Sequence, residues 1–443
     1  MSRASVRFAS IASVLIVVLT ACGDGDGGDG GDGGDGGGSS PTTDAAASAT
    51  GPIDIWYSNN PEEVAWGEAV VEAWNAENPD EEVTAAEIPA GESSEEVIGA
   101  SITAGNTPCL IFNTAPAAVP QFQEAGGLVA LDDFADGASY IQERTGDRAE
   151  QYKFTDGLFY QMPWKTNPVM IFYNKEIFRT AGLDPENPPL STYDEFLSTA
   201  ETLVAEGGVE AAIWPSPDAQ FFQPWFDFYP LFAAQSGGQQ LVEDGEPQFN
   251  NEAGLAVAGF WRSLYDQGLT PNEAYNGDSF ADEQAAMAIV GPWAIAVYGE
   301  AVDWGAVPVP TQDGMDASEV HTFSDEKSAA MYTACENRGT AWEFLKFATN
   351  EENDGQLLEM TGQMPMRADV VASFPDYFEA NPEYEAFADQ ASRTVEVPIV
   401  PNSIEMWQTF RTAYSESVIF GTTPVEEAFN TAADEIRTLV GGS

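Results

Sequence analysis

The sequence predicts an α/β fold divided into two lobes, and three observations support this prediction. First, 443 residues exceed the length at which one hydrophobic core usually stops growing. Second, strand and helix patterns alternate between residues 53 and 113, which is typical of a mainly parallel sheet flanked by helices. Third, residues 156–175 hold two extended runs around a polar interruption, which indicates a chain passing from one lobe to the other.

The N-terminal segment predicts export and a membrane anchor. Arg3 and Arg7 precede an apolar run, so residues 1–21 have the layout of a secretory signal that is too short to span a membrane. The residues before Cys22 resemble a bacterial lipobox, in which cleavage leaves Cys22 as a lipidated N-terminus. The alternative is an ordinary signal with an incidental cysteine. Residues 22–50 are rich in Gly, Asp, Ser and Ala and predict a flexible tether.

The overall composition argues against several classes of partner. The chain has 72 acidic and 16 basic side chains, a formal net charge of -56, which disfavours nucleic acid and anionic lipid surfaces. A single histidine and the lack of a C-x-x-C pattern argue against a zinc site, so we expect neither a metal nor a cofactor. Cys109 and Cys335 could form a disulfide in an oxidising compartment or remain two buried thiols.

The first strand and helix units place polar side chains where strands end. Residues 53–57 predict a strand, after which Asn60, Pro61 and Glu63 predict the N-cap, the first residue and the N3 acid of a helix. Ligands bind beyond the carboxyl ends of parallel strands, so residues near 58–60 and 113–115 are candidates for contact. The predicted elements here are a helix to about residue 78, a strand over 83–88, a helix over 94–104 and a strand over 109–113.

The stretch over residues 156–175 predicts the first crossing between the lobes. Strands are expected over 158–162 and 169–173. Because proline cannot donate to a sheet ladder, Pro163 and Pro168 indicate a crossing segment rather than a tight hairpin. Trp164 would offer an apolar face beside hydrogen-bonding groups of Lys165 and Asn167, a mixture typical of small-molecule clefts. The alternative is a partly buried loop tryptophan between two ordinary strands.

The rest of the chain continues the alternation and predicts two further crossings, near residues 321–324 and 362–367. The aromatic segment 221–229 is expected to supply mainly core side chains, with a minority facing a cleft. A strand over 287–290 turns through Gly291 and Pro292 into a helix, which puts Trp293 in the first turn, where it is poorly placed for a core. Further helices are predicted near 175–180, 193–205, 253–267, 340–350, 404–420 and 425–439, and strands near 211–214, 304–309 and 328–333.

With these residues in place, the chain resembles the extracellular solute-binding proteins of ABC importers, in the carbohydrate-binding family that includes maltose-binding protein. The resemblance covers residues 52 to about 439 and rests on five short motifs in family order. These are Ala104-Gly105-Asn106-Thr107-Pro108, the run Gly-Gly-Leu-Val-Ala-Leu over 126–131, Phe-Tyr-Asn-Lys over 172–175, Ala-Met-Ala over 286–288 with Gly291-Pro292-Trp293, and Ala-Trp-Glu-Phe-Leu-Lys-Phe over 341–347. One departure is Cys109, where the family usually has an aspartate. The cysteine replaces a structural carboxylate or forms a disulfide with Cys335.

The resemblance implies a periplasmic-binding-protein-like fold in which two lobes, joined by three hinge crossings, close on a sugar. The lobes are expected over 51–164 with 322–364, and over 165–321 with 365–443. It also implies a monomeric, non-catalytic binding protein, held outside the cytoplasmic membrane or in the periplasm, that delivers the sugar to the transmembrane subunits of an ABC importer.

Matching family positions imply which side chains contact the sugar. Aromatic rings stack on its apolar C–H faces, and amide or charged groups bond its hydroxyls. Structural roles compete with ligand contact at several positions: capping for the two asparagines at 59 and 60, core packing for Trp225 and a satisfied loop position for His321. The implied contacts are Asn59, Asn60, Asn113, Thr114, Trp164, Lys165, Asn167, Trp225, Trp293, Met364 and Arg367, with His321, Phe323 and Asp227 as further candidates.

Two other functions remain open at this stage. The same fold could bind a polyamine, a peptide or a metal ion, although a polyamine would require acids in the cleft and ferric iron a cluster of tyrosines. A secreted glycoside hydrolase would require two carboxylates across the sugar. The expected cleft loops contain almost no acids apart from Asp227, which disfavours both the polyamine site and the hydrolase.

Overall fold

The computed structural model describes residues 47–58, 60–90, 93–299 and 301–441. The expected signal segment, Cys22, most of the tether and Asn59 lie outside the described residues.

Strands and helices alternate along the described chain, which confirms the predicted α/β class. The strands are β1 (Ile53–Tyr57), β2 (Val83–Glu87), β3 (Leu110–Thr114), β4 (Met162–Thr166), β5 (Met170–Asn174), β6 (Ala211–Ile213), β7 (Val242–Glu243), β8 (Glu246–Pro247), β9 (Ala285–Val290), β10 (Trp304–Val307), β11 (Thr322–Phe323), β12 (Lys327–Met331), β13 (Met364–Pro365) and β14 (Thr394–Val395). The helices are α1 (Pro61–Glu77), α2 (Ser94–Ala104), α3 (Val119–Glu124), α4 (Gly137–Thr145), α5 (Lys175–Thr180), α6 (Tyr193–Glu206), α7 (Phe228–Gln235), α8 (Glu252–Asp266), α9 (Trp293–Tyr298), α10 (Arg338–Ala348), α11 (Glu351–Thr361), α12 (Val370–Ser373), α13 (Pro375–Ala380), α14 (Glu385–Ala391), α15 (Ser403–Tyr414) and α16 (Val425–Gly441).

Two sheets define two lobes. The first lobe is built on a six-stranded sheet in the order β13-β4-β12-β3-β1-β2, and the second on a four-stranded sheet in the order β10-β5-β9-β6. β1 runs parallel to β2 and β3, and β6 runs parallel to β9. The sheets are mixed rather than mainly parallel, because the strands next to the crossings (β4, β5, β12 and β13) all pair antiparallel with their neighbours.

The chain passes between the two sheets at the three expected places. It leaves the first sheet after β4, returns between β11 and β12, and leaves again after β13. β4 ends at Thr166, two residues beyond the boundary expected at Trp164. Before the chain rejoins the first sheet, β11 pairs with β14 in a separate two-stranded sheet.

The segment expected to be a polar loop at the first crossing is itself strand β4, and all five of its residues are buried. Pro163 is tolerated there because β13 pairs only with Lys165 and Thr166, so Pro163 has β12 as its sheet neighbour, at a point where the register of β12 shifts. The crossing is therefore the short segment 167–169 between β4 and β5.

Each lobe has its own apolar core. In the first lobe it includes Trp66, Phe112 and Trp164, and in the second Phe228 and Trp407. A disulfide joins Cys109, just before β3, to Cys335, just after β12, so the disulfide alternative for these cysteines is the one adopted. None of the described helices combines the length and apolarity needed to cross a bilayer.

Candidate ligand-binding cleft

A cavity of about 370 Å³ lies where the three crossings meet the ends of the first-lobe strands. Residues from the first sheet, α1, α11 and the crossings supply its polar wall, and α9 supplies an apolar wall. The lining residues are Asn60, Glu62, Glu63, Asn113, Lys165, Asn167, Asp325, Lys327, Thr361 and Gln363 on the polar wall, with Trp293 and Val297 opposite.

Two asparagines reach the cavity from strand ends, as the sequence predicted. Asn60 caps α1, because its side-chain oxygen accepts hydrogen bonds from the backbone N–H groups of Glu62 and Glu63. Asn113, near the end of β3, has a φ of 68°, a left-handed conformation that asparagine adopts more readily than most residues. Both residues line the cavity, so capping and cavity lining coexist in Asn60.

The polar wall contains a buried ion pair. The Lys165 ammonium on β4 donates to a carboxylate oxygen of Glu63 on α1, and the Gln363 amide donates to the same oxygen. Burial opposes ionisation of Glu63, but the charge and hydrogen bond of Lys165 outweigh it and lower the pKa of Glu63 below its ordinary value. For Lys165 burial dominates and lowers its pKa, although Glu63 acts in the other direction.

A second ion pair lies beside the first. The Lys327 ammonium donates to Asp325 at 2.6 Å. Burial lowers the pKa of Lys327, but the charge of Asp325 and its hydrogen bond outweigh this effect, so the net shift is upward. Each lysine of the wall is therefore matched by a carboxylate within contact distance, and Glu62 is the remaining acid among the lining residues.

Asn167, in the first crossing, is bonded to the second crossing and to the residue that precedes β13. Its backbone N–H donates to Ser324 Oγ at 2.9 Å, and its side-chain amide donates to the Asp325 carbonyl at 3.1 Å and to Gln363 Oε1 at 3.3 Å. Ser324 and Asp325 belong to the second crossing, and Gln363 directly precedes β13, after which the third crossing begins. Asn167 therefore connects the first two crossings to the strand that leads into the third.

The apolar wall depends on Gly291. A side chain at this position would place its Cβ 2.0 Å from Trp293 Cζ3, so only glycine lets the indole lie back over the chain that precedes α9. Trp293 is half-buried and meets Phe226 edge-on at 6.2 Å between ring centroids. Val297, one turn further along α9, is 63% exposed, so the wall presents an indole and an isopropyl group to the cavity.

Several predicted contacts are core residues instead, so these predictions were wrong. Trp164 is completely buried between Trp66 and Phe112, each at 5.2 Å between centroids, because it lies inside β4 with its ring toward the first-lobe core. Thr114 is also fully buried, and its hydroxyl donates to the Ile111 carbonyl. Both therefore lie away from the cavity.

Four further candidates, from both lobes, follow the same pattern. Trp225 packs against Phe323 and Trp407, and Met364 is fully buried. Asp227 caps α7 through a hydrogen bond from the Phe228 N–H, and burial raises the pKa of this carboxyl to about 7. Trp225, Phe323, Met364 and Asp227 thus have structural roles.

Two polar candidates lie elsewhere on the surface. The Arg367 guanidinium donates to the buried Asp354 at 2.6 Å, which also pairs with Arg144. His321 packs against Gly238 at the edge of a separate cavity of about 550 Å³. Neither residue lines the cavity that holds Trp293.

Sequence reasoning missed much of the charged part of the wall. The expectation that the cleft would hold almost no acids except Asp227 is wrong, because Glu62, Glu63 and Asp325 line the cavity and Asp227 does not. Glu63 was assigned only to helix capping, and its position on the inner side of α1 has no local signature. Lys327, Thr361, Gln363 and Val297 were also missed. Within the described part of the chain, no group of three or more His, Cys, Asp or Glu side chains is arranged to hold a metal ion.

Comparisons with known proteins identify the family. Residues 69–386 match the family described as bacterial extracellular solute-binding protein. The chain is 24% identical to a maltodextrin-binding protein of Bacillus subtilis over 353 residues, which cover 76% of this chain and 78% of that protein. It is 25% identical to a maltotriose-binding protein of Pyrococcus abyssi over 384 residues, which cover 84% of this chain and 79% of that protein.

A solved structure shares the fold. The cyclic alpha-maltosyl-1,6-maltose binding protein of Arthrobacter globiformis superposes with a TM-score of 0.76 at 22% identity, covering 89% of this chain and all of that one. The two-lobed architecture agrees with this likeness. Because the family match spans most of its length, the chain belongs to the bacterial extracellular solute-binding proteins.

Proposed function

We propose that the protein captures a sugar or oligosaccharide between its two lobes and delivers it to an ABC importer. The observation that carries this proposal is the opposition of an indole, Trp293, to a wall of amides and paired charges across one cavity. An indole face suits the C–H face of a sugar ring, while Asn60, Asn113 and Asn167 offer donors and acceptors for its hydroxyls. The similarity to a maltodextrin-binding protein and a maltotriose-binding protein supports the same assignment.

The charges of the wall favour a neutral ligand. Lys165 is paired with Glu63 and Lys327 with Asp325, so the wall offers a ligand polar contacts without a large net charge. Three carboxylates (Glu62, Glu63 and Asp325) and two ammonium groups (Lys165 and Lys327) line this cavity, so Glu62 is the one lining acid left to balance the several positive charges of a polyamine.

The same charges argue for binding without catalysis. A glycoside hydrolase needs a carboxyl group with a raised pKa to protonate the leaving oxygen. The pKa of Glu63 is lowered, and the buried carboxyls whose pKa is raised, Asp227, Glu326, Asp354 and Glu396, do not line the cavity.

The capture step is proposed to be a hinge motion of the lobes over 51–164 with 322–364 and over 165–321 with 365–443. Asn167 supports this proposal because its bonds connect the first crossing to the second and to the residue that precedes β13, beside the cavity. Trp293 would approach the sugar from the second lobe as the lobes close.

The site of action is proposed to be the outer face of the cytoplasmic membrane or the periplasm. Lipidation at Cys22 and the tether over 22–50 would hold a monomer near the transmembrane subunits of its importer. Metabolic labelling with a radioactive or alkyne-tagged fatty acid tests the anchor: label should enter the wild type and be absent from Cys22→Ser. Labelling of both proteins would contradict it.

A calorimetric screen tests the sugar assignment. Purified protein is titrated with a panel of mono- and oligosaccharides, and with spermidine, tripeptides and divalent cations as competing classes. We expect saturable heat with one or more sugars and unchanged sugar chains afterwards by chromatography. Binding confined to spermidine, peptides or cations would overturn the sugar assignment, and hydrolysis of the sugar would overturn the binding role.

A further inference from the structure

Two carboxyl groups, Glu326 and Glu396, are buried together outside the cavity. Each is only 2% exposed, and neither takes part in an ion pair among the described residues. Glu326 lies between the second crossing and β12 of the first sheet, whereas Glu396 follows β14 between two residues of the second-lobe core, Val395 and Val397. The pair therefore lies where the two lobes meet.

Glu396 is bonded to both lobes. From the first lobe, the Tyr152 hydroxyl donates to Glu396 Oε2 at 3.2 Å. From the second lobe, the Tyr229 hydroxyl donates to the Glu396 carbonyl at 2.6 Å, and the Gln240 side chain donates to it at 3.0 Å. Tyr152 and Tyr229 belong to the cores of different lobes, so Glu396 bridges those cores.

A shared proton fits the surroundings of this pair. The Glu326 and Glu396 carboxyls lie close enough to interact directly, and two carboxylates that face each other have no hydrogen to donate. Glu326 Oε1 accepts from Ser328 Oγ at 3.0 Å, and the Tyr152 hydroxyl lies near both carboxyls. Among the described residues, Glu326 Oε2 is buried without a hydrogen-bond partner. A proton on Glu326 Oε2 would supply the bond to Glu396 and satisfy this oxygen. Burial raises the pKa of both groups, and the charge of Glu396 raises that of Glu326 further.

The cations around the pair are engaged elsewhere. The Arg148 guanidinium donates to the Ala391 carbonyl at 2.9 Å and to the Arg367 carbonyl at 2.6 Å, and the Lys327 ammonium bonds Asp325. Both act on the pair only through space. Tyr152, Tyr229 and Ser328 complete the set of facing groups, and none of these carries a positive charge. A second negative charge on the pair would therefore lack a bonded counterion.

We propose that Glu326 and Glu396 share one proton and so clasp the two lobes together, and that loss of this proton loosens the hinge. Ionisation of both groups would place two like charges side by side without water, and separation of the lobes relieves their repulsion. Because both pKa values are raised in the folded protein, the stability that the clasp contributes is complete below the ordinary pKa of glutamate. It is lost as pH rises through the raised values.

The first test compares Glu326→Gln with the wild type in thermal unfolding between pH 5 and pH 10. The glutamine amide donates to Glu396 at every pH, so the variant keeps the bond without a titrating proton. We expect the melting temperature of the wild type to fall relative to this variant by about 2 °C or more as pH rises. The matched control is Glu72→Gln on the exposed side of α1, which should follow the wild type. Parallel curves for wild type and Glu326→Gln would overturn the proposal.

The second test measures the shape of the wild type itself and so does not depend on a variant that folds. Small-angle X-ray scattering without ligand, over the same pH range, should give a radius of gyration that increases as the pair ionises. Glu396→Gln and Glu326→Gln should both remove this increase. A wild-type radius that does not change with pH, or one that increases equally in all three proteins, would overturn the proposal. Neither result bears on which ligand the cavity binds.

Discussion

Buried acids on the two sides of the cavity have pKa values that are shifted in opposite directions. On the first-lobe side, Glu63 is buried but paired with Lys165, and its pKa is lowered. Behind the aromatic wall of the second lobe, Asp227 is equally buried but belongs to no ion pair among the described residues, and burial raises its pKa to about 7. Burial is the same for both acids, so the partner decides the sign of the shift.

This contrast separates the tasks of the two walls. The polar wall keeps the charges of Glu63, Lys165, Asp325 and Lys327 next to the cavity because these side chains form two ion pairs. On the second-lobe side, the Asp227 carboxyl caps α7, and only Trp293 and Val297 face the cavity. A ligand would therefore be oriented by one lobe and covered by the other.

Removal of Lys165 should produce the largest effect. Lys165→Ala leaves Glu63 buried without its cation, which typically destabilises a protein by about 3–5 kcal/mol. The free energy of unfolding from urea titration measures the loss. The control is Lys175→Ala, which removes a pair with the exposed Glu186 and should cost about 1 kcal/mol or less. Similar losses in both variants would show that the buried Glu63–Lys165 pair contributes no more to stability than an exposed pair.

Substitution of Asp227 should change the pH dependence instead. Because its folded pKa of about 7 exceeds the ordinary value, the stability linked to Asp227 is present below about pH 4 and declines as pH rises through 7. Asp227→Asn cannot ionise, so its free energy of unfolding should not decline in this way. The decline in the wild type should amount to roughly 4 kcal/mol at most. Urea unfolding at pH 4, 6 and 8 measures the difference. Asp80→Asn, on an exposed turn, should follow the wild type; an unchanged slope in Asp227→Asn would contradict the raised pKa.

Truncation of Trp293 should weaken binding with little effect on stability. Loss of an indole face costs about 1.5–3 kcal/mol of buried apolar contact, so we expect affinity for the identified sugar to fall about 10- to 100-fold. Calorimetric titration provides the measurement. The matched control is Trp214→Ala, a half-buried tryptophan of the same lobe that lines a different cavity. Equal affinities of Trp293→Ala and the wild type would show that Trp293 does not contribute to sugar binding.

The smallest expected effect separates the two roles of Asn60. Asn60→Ala should cost about 1 kcal/mol of stability through loss of the α1 cap, whereas Asn60→Ser keeps a capping oxygen. If the amide also contacts the ligand, both variants lose affinity while only the alanine variant loses stability. Retained affinity in the serine variant would limit Asn60 to capping.

The sequence predicted the features that short segments determine. The asparagine, proline and glutamate at the start of α1 specify a helix start because capping depends on a few neighbouring residues, and α1 begins as expected. The Gly-Pro turn before α9 similarly put Trp293 in its first turn, and the structure agrees. The places of the three crossings followed from the order of the strands.

The sequence left the role of Trp164 open but favoured ligand contact for Trp293. Both follow a short apolar run near a proline, and the family resemblance implied ligand contact for both. The side of β4 that faces the core depends on its pairing with β12 and β13, which are formed by residues more than 150 positions away. That pairing turns Trp164 inward.

By itself, then, the sequence determined the α/β class, the helix starts, the family resemblance and Asn60, Asn113, Lys165, Asn167 and Trp293 as residues near the cavity. Only the tertiary structure decided the electrostatics of the walls. Glu63 meets Lys165 across 102 positions and Gln363 across 300, while Asp227 meets no bonded cation among the described residues. Charge pairing in a protein interior depends on distance in space, which local sequence patterns do not encode.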